Sequence, residues 1–393
     1  MKIINVKSVY EEIKKNKIAI NRIIDLAKKG NVEGFTPPST LVGEFNYPKV
    51  SVGVIFTTDQ NAAIYDAPKF WVKNGFDVSK IFSLKSTLVN AKNNVDVRRP
   101  DNSYMQNVAL ATMSETELSL DFKISKVLGS SMLNSNKYKD ISPHGVTATM
   151  SDFKLNENVR INKNVEKVYY DRDLKATEGM SYLYTNRISD EKISKMLSVG
   201  AMGVKRKIVP TKWAITAVDD GIGKELLDEV KSYPIGKEFA VKTGTVLGNH
   251  YIFLFVPDTW AFELIETWNR SGDEVFSGEG DYEFYDGRKE YVKNTAGAYY
   301  AVRLAVLEKL MELKRQFSVI VIREITPEYF APLGVWVVRE GARKVLQEGL
   351  NYFYDKAMAL KNAKDMLLYP INIEKKSRVL SYKERQTRLS GFQ

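Results

Sequence analysis

The chain has 393 residues, with 58 Lys plus Arg against 48 Asp plus Glu, a net charge of +10 and no Cys. At 44% hydrophobic and 27% charged residues it is neither a disordered chain, a collagen-like fibre nor a coiled coil. Without thiols it holds no disulfide, thiolate zinc site, iron–sulfur cluster or cysteine nucleophile.

The opening segment places Tyr10, Ile13, Ile20, Ile24 and Ala27 on one helical face, with Gly30 as the stop. In residues 34–56, Pro37 and Pro38 fix φ and forbid helix, so an extended loop is expected to run into a strand at Val50–Phe56. The polar stretch 151–164 reads as a connection between lobes. Ile208–Val218 reads as a strand that places Trp213 in the core, followed by a helix beginning at Asp219-Asp220. Phe239–Val246 and Tyr251–Val256 form an expected hairpin, and Asp286-Gly287 predicts a second one between Tyr282–Tyr285 and Arg288–Tyr291. A long helix is expected at about 295–316, a buried strand at Ser318–Ile325, another strand at Gly334–Val338, and helices over about 340–367.

Hairpins mixed with βα units predict an α+β fold, with a mixed, largely antiparallel sheet and packed helices. Length allows one large integrated body or two lobes, and the expected division is an N-terminal lobe over 1–150, an α/β-containing C-terminal lobe over 165–370, and a basic, flexible tail over 371–393. No apolar run suits a signal peptide or reaches the ~18–20 residues of a membrane span, so a cytoplasmic protein is expected.

The excess of positive charge suits nucleic acid or nucleotide phosphates without proving them; the alternative is a Lys-rich surface of the kind common in heat-adapted proteins. Thr36 and Ser39 in the 34–43 segment supply hydroxyls for a phosphate cradle or for a rigid structural loop. Arg99, Arg206, Lys207 and Lys212 are the further phosphate candidates, since arginine suits bidentate phosphate contacts. Asp219 and Asp220 are either helix caps or catalytic carboxylates that hold a divalent ion beside a phosphate. His144 and His250 are the only histidines, so no metal site is assigned and no cofactor is expected, unless the chain is an enzyme using magnesium or manganese. Neither a dinucleotide fingerprint nor a P-loop occurs.

The last residues carry Gln386-x-x-Leu389-x-x-Phe392, which puts Leu389 and Phe392 on one side of a helical turn, with Gln386 able to hydrogen-bond a partner backbone. This resembles the PIP box that docks replication and repair proteins on the DNA polymerase sliding clamp (PCNA). Gln393 stands where a second aromatic is usual, which weakens the anchoring. The segments FTPPSTLVGEFNYPKVSVGV (35–54), VEKVYYDRDLKATEGMSYLY (165–184) and KIVPTKWAITAVDDGIGKELLDEVK (207–231) are similar to the Nre family of archaeal DNA repair proteins. The likeness covers roughly residues 30–350 in patches, plus the terminus. It implies DNA-damage repair through clamp docking, and it supplies no catalytic residues. The Cys-rich module of some relatives has no counterpart in this Cys-free chain. The expected function is therefore a repair factor recruited to the clamp by Gln386, Leu389 and Phe392 and contacting DNA phosphates through basic patches. Its alternatives are a clamp-tethered, metal-dependent hydrolase acting on DNA or nucleotides, and a non-catalytic DNA-binding adaptor.

Overall fold

The computed structural model describes residues 6–129, 145–269, 275–278 and 280–385. They form two compact units, Val6–Ile222 and the part from Gly223 onward.

The first unit opens with helix α1 (Val6–Ala27), which buries Ile20, Ile23 and Ala27. Gly30, at φ +86°, turns the chain into β1 (Asn31–Val42). The expected loop at 34–43 is thus part of a strand. Its first half pairs with β4 and its second with β2, and the register shifts between Phe35 and Ser39. Pro37 and Pro38 sit at that change of partner, because proline offers no N–H to either ladder. Strand β2 (Lys49–Thr57) is followed by α2 (Pro68–Lys73), α3 (Val78–Ser86), β3 (Val89–Asp96), α4 (Ser103–Met113), β4 (Leu118–Gly129) and β5 (Val146–Leu155).

The five strands close a barrel in the order β1-β2-β3-β5-β4, antiparallel except where β3 runs parallel to β5. With a helix between the third and fourth strands, this is the connectivity of an OB-type Greek-key barrel. Val50, Val52, Val54 and a stack of Phe56, Phe122 and Phe153 are buried in it. Residues 151–155, expected in a connection, complete β5.

Helices α5 (Lys163–Tyr170), α6 (Ala176–Thr185), α7 (Asp190–Ser198) and α8 (Thr211–Val230) follow, and the division between the units falls inside α8. The strand expected at Ile208–Val218 is therefore corrected to the start of α8. Trp213, Ile215 and Ala217 alternate in sequence, but Ala214, Val218 and Ile222 are the buried residues, and a spacing of four is helical. Trp213 is 50% exposed rather than core, with its ring 6.4 Å from that of Tyr47.

The second unit contains β6 (Phe239–Val246), β7 (Asn249–Val256), β8 (Ala261–Asn269), β9 (Val275–Ser277), β10 (Asp281–Glu283), α9 (Gly297–Leu313), β11 (Ser318–Ile325), α10 (Trp336–Leu346), β12 (Asn351–Phe353), α11 (Lys356–Asp365), α12 (Ile373–Lys376) and α13 (Arg378–Arg385). The sheet order is β10-β8-β11-β7-β6-β12, with β9 paired to β8. One sheet face packs on α9 and α10 through Tyr251, Phe253 and Phe255, and the other on α11 to α13 through Ile252, Leu254 and Ile320. Covering on both faces explains why Val319, Ile320, Val321 and Ile322 of β11 are a continuous apolar run. The mixed, largely antiparallel architecture agrees with the α+β expectation, as do the hairpin through Leu247-Gly248, the long helix and β11.

Three local expectations are corrected in this unit. Gly287 does turn the chain at φ +75°, but no strand returns from it, and β10 pairs with β8. The Asp281 carboxylate instead accepts backbone N–H bonds from Lys293, Asn294 and Thr295, which draw the following segment into a loop. At Gly334–Val338 the chain enters helix α10, where Val338, Ala342 and Val345 repeat at helical spacing. The tail expected to be mobile from 371 is packed as far as 385, because Ile373, Val379 and Leu380 are buried against the sheet. The buried Glu263 carboxylate accepts the N–H groups of Arg378 and Val379 at 2.9 and 3.2 Å, capping α13. Among the described residues, no helix is long and apolar enough to cross a membrane.

Candidate functional site

A cavity of the first unit, about 1250 Å³, opens beside Pro37 and Pro38. The proline pair forms one wall, a 3₁₀ turn at Ala62–Asp66 the second, and the first turns of α7 the third. At its base Asp66 accepts three hydrogen bonds: from Ser39 Oγ at 2.6 Å, Lys195 Nζ at 2.7 Å and Lys85 Nζ at 3.4 Å. Burial pushes the Asp66 carboxyl up, but the two ammonium groups and the hydrogen bonds outweigh it and hold the group well below the usual carboxylate range. Lys192, one helical turn before Lys195, donates to the carbonyls of Thr112 and Ser114 at 2.7 and 2.5 Å. Burial, reinforced by the charge of Lys195, lowers its pKa to about 7 against the opposing pull of Glu115. Two backbone carbonyls thus hold the Lys192 ammonium at the cavity wall.

The sequence candidates take different places. Ser39 belongs to this network, whereas Thr36 is fully buried and its hydroxyl faces the backbone N–H of Ser39 at 3.4 Å. The segment is therefore a strand with internal polar contacts rather than an open cradle. A Cβ on Gly34 would lie 2.3 Å from the Phe56 ring, so that glycine serves packing. Arg206 faces inward: its guanidinium donates to the carbonyls of Gly203, Tyr169 and Asp171 and lies over the Tyr169 ring. Burial lowers its pKa, and its Nε and Nη2 donors hold the loop before α8.

Arg99, Lys207 and Lys212 are exposed. Lys212 lies 3.6 Å from Glu44 in the β1–β2 loop, and Ile208 N donates to Val97 O at 2.9 Å, which carries Lys207 to the end of β3 beside Arg99. These three cations thus gather at the β1–β2 end of the barrel. Asp219 and Asp220 lie in the middle of α8, not at a helix start, with Asp219 buried. Consecutive helical residues diverge around the axis, so the adjacent pair is poorly arranged to grip one ion. They do not line the Pro37–Pro38 cavity, so the 34–43 and 206–220 segments do not converge on it.

His250 is held by Thr245 Oγ1 at 2.7 Å and Met366 O at 2.9 Å, which gives it a structural place. His144, Gln386, Leu389 and Phe392 lie outside the described residues. Sequence reasoning missed Asp66, Lys85, Lys192 and Lys195. Their only sequence signal is the three-residue spacing of Lys192 and Lys195, since Asp66 and Lys195 stand 129 positions apart.

The barrel, its cation-bearing end and the lysine-walled cavity define an OB-barrel protein carrying a second, sheet-centred unit. The chain belongs to the archaeal Nre family: the models for "Archaeal Nre, N-terminal" and "Archaeal Nre, C-terminal" match residues 7–272 and 283–392. It is 35% identical over 335 residues to DNA repair protein NreA of Archaeoglobus fulgidus, covering 82% of each chain. It is 35% identical over 325 residues to DNA repair protein NreB of the same organism, covering 80% of each. To DNA repair protein NreA of Haloferax volcanii it is 33% identical over 345 residues, covering 83% of this chain and 81% of the relative. No solved structure matches.

Proposed function

We propose that this protein is a DNA repair factor that docks on the DNA polymerase sliding clamp (PCNA) through Gln386, Leu389 and Phe392 and contacts DNA phosphates through Arg99, Lys207 and Lys212. Family membership, with relatives named DNA repair proteins, supports the repair role. The observation that carries the clamp reading is the position of the motif. It follows directly on α13, which Glu263 and the Lys383–Asp258 ion pair at 3.2 Å tie to the second unit. A short peptide of this kind buries little surface, so micromolar affinity is expected, about −8 kcal/mol, with a second contact on DNA raising the effective strength.

The double variant Leu389→Ala, Phe392→Ala should lose measurable clamp binding in a calorimetric titration while keeping its DNA affinity. Charge reversal at Arg99, Lys207 and Lys212 should leave clamp binding intact, weaken duplex DNA binding, and lower the slope of log K against log salt by about 3, one per lost phosphate contact. Clamp binding retained by the double variant would refute the docking reading.

The alternative, a clamp-tethered hydrolase acting on DNA or nucleotides with Mg or Mn, is favoured by one observation, Lys192 at the wall of the Pro37–Pro38 cavity. On a panel of damaged, branched and single-stranded DNA with either metal, this alternative predicts turnover that Lys192→Met abolishes. Turnover that is absent, or unchanged in Lys192→Met, would remove it.

A further inference from the structure

Two exposed aromatics of the barrel lie on one loop. The β1–β2 loop, residues 43–48, carries Phe45 at 78% exposure and Tyr47 at 57%. Single exposed apolar side chains are ordinary, but two large rings on one short loop mark a contact surface. The loop is ordered by its own backbone: Lys49 N donates to Asn46 O at 2.8 Å, Gly43 N to Ser51 O at 2.8 Å, and Val97 N to Pro48 O at 2.9 Å. The rings are thus presented on a fixed platform.

Phe45 borders a cleft of about 430 Å³ on the outer face of β2 and β3, while the Tyr47 ring, on the same loop, lies 6.4 Å from that of Trp213. Phe45 and Asn46 form one wall, Ser125, Leu128 and Thr149 of β4 and β5 the other. Its floor is Ser51 with Lys92, Asn93 and Asn94, and among the described residues no carboxylate lines it. Lys49, exposed at the start of β2, extends the positive charge toward the loop, and Arg99, Lys207 and Lys212 stand at the same end of the barrel.

We infer that this β2–β3 face is a binding site for single-stranded DNA, with Phe45 and Tyr47 stacking on bases, Lys92 and Lys49 meeting phosphates, and the exposed Asn94 offering hydrogen bonds to base edges. The inference rests on the proposed DNA-contacting function and deepens it. Aromatic rings beside a cationic groove match the way OB barrels hold single strands, where each stacked base contributes roughly 1–3 kcal/mol. A duplex keeps its base faces hidden in the stack and gives such rings nothing to cover. OB barrels also take oligosaccharides, but Lys92 in the cleft and the cations at the same end of the barrel favour a polyanion over a neutral sugar.

The test is fluorescence anisotropy of the full chain, without clamp, on a labelled oligothymidylate of about 20 nucleotides, the same length of duplex, and an oligouridylate. Wild type should bind the DNA single strand more tightly than the other two. Phe45→Ala, Tyr47→Ala together should weaken that binding roughly 10- to 100-fold, the equivalent of one or two lost stacking contacts. Lys92→Glu should weaken it and reduce the salt slope by about 1. Tyr354→Ala, an exposed aromatic of the other unit, should change nothing. Thermal melting and clamp titration of the same variants check that they remain folded. Wild-type affinity in the Phe45/Tyr47 variant, or tighter binding of duplex or of oligouridylate, would overturn the assignment. Loss of the single-strand site with clamp docking intact would remove only this inference. Loss of docking with the single-strand site intact would remove only the clamp reading.

Discussion

Replacing Asp66 with Ala should cost the Val6–Ile222 unit about 3 kcal/mol, the lower end for breaking a buried pair because the cavity mouth lets water reach the lysines. The carboxylate stands between Lys195 at 2.7 Å and Lys85 at 3.4 Å, and all three side chains are less than one-fifth exposed. Without it, two desolvated ammonium groups lose their counter-ion and Ser39 loses its acceptor. The double variant Asp66→Leu, Lys195→Met should recover part of the loss, since removing both partners spares the cost of an uncompensated charge. The acid limb follows from the same pair. The folded carboxyl sits below the unfolded value of about 3.9, so its contribution is complete above that value and is lost as pH falls through the lowered one. Asp66→Asn should therefore be less stable at neutral pH and should lose less stability than wild type on strong acidification. Urea unfolding at both pH values checks this, and equal acid limbs would contradict it.

Glu283→Ala should be at least as damaging to the second unit, by about 3–5 kcal/mol. Glu283 Oε1 accepts from Arg303 Nε at 2.8 Å and Trp260 Nε1 at 2.9 Å, and both side chains of the ion pair are at most 3% exposed. Truncation leaves the Arg303 guanidinium buried without its anion under α9. Glu283→Gln keeps an acceptor for Trp260 but not the charge, and should fall between Ala and wild type. Hydrogen exchange localises the effect: amides of β8, β10 and α9 should lose protection, while those of the barrel should keep theirs. Uniform loss across both units would contradict the assignment of this pair to one core.

These networks explain how far the sequence could be read. Ser318–Ile325 was legible because every residue of β11 is buried, and Val319, Ile320, Val321 and Ile322 form an uninterrupted β-branched run. The turn at Leu247-Gly248 was legible because the flanking strands pair directly across it. Residues 208–218 misled because a half-exposed Trp213 mimics a core position, and a single Trp outweighs the small Ala214 that packs inward. The barrel was hidden at Pro37-Pro38, where a strand passes between two partners at residues that normally break strands. The tail to 385 looked unstructured because three apolar side chains and one distant carboxylate, Glu263, are enough to dock it. At the candidate site, basic residues near the barrel end were legible as charge. Which of them faces inward, as Arg206 does, depends on backbone carbonyls that no side-chain pattern announces.

The central claim, that the chain works in DNA repair from the sliding clamp, is tested most directly by calorimetric titration of the clamp with the full chain and with a chain ending at Arg385. The truncation leaves α13 and both folded units in place. The account predicts micromolar binding by the full chain and none by the truncated one. Equal binding by both, or none by either, would contradict it.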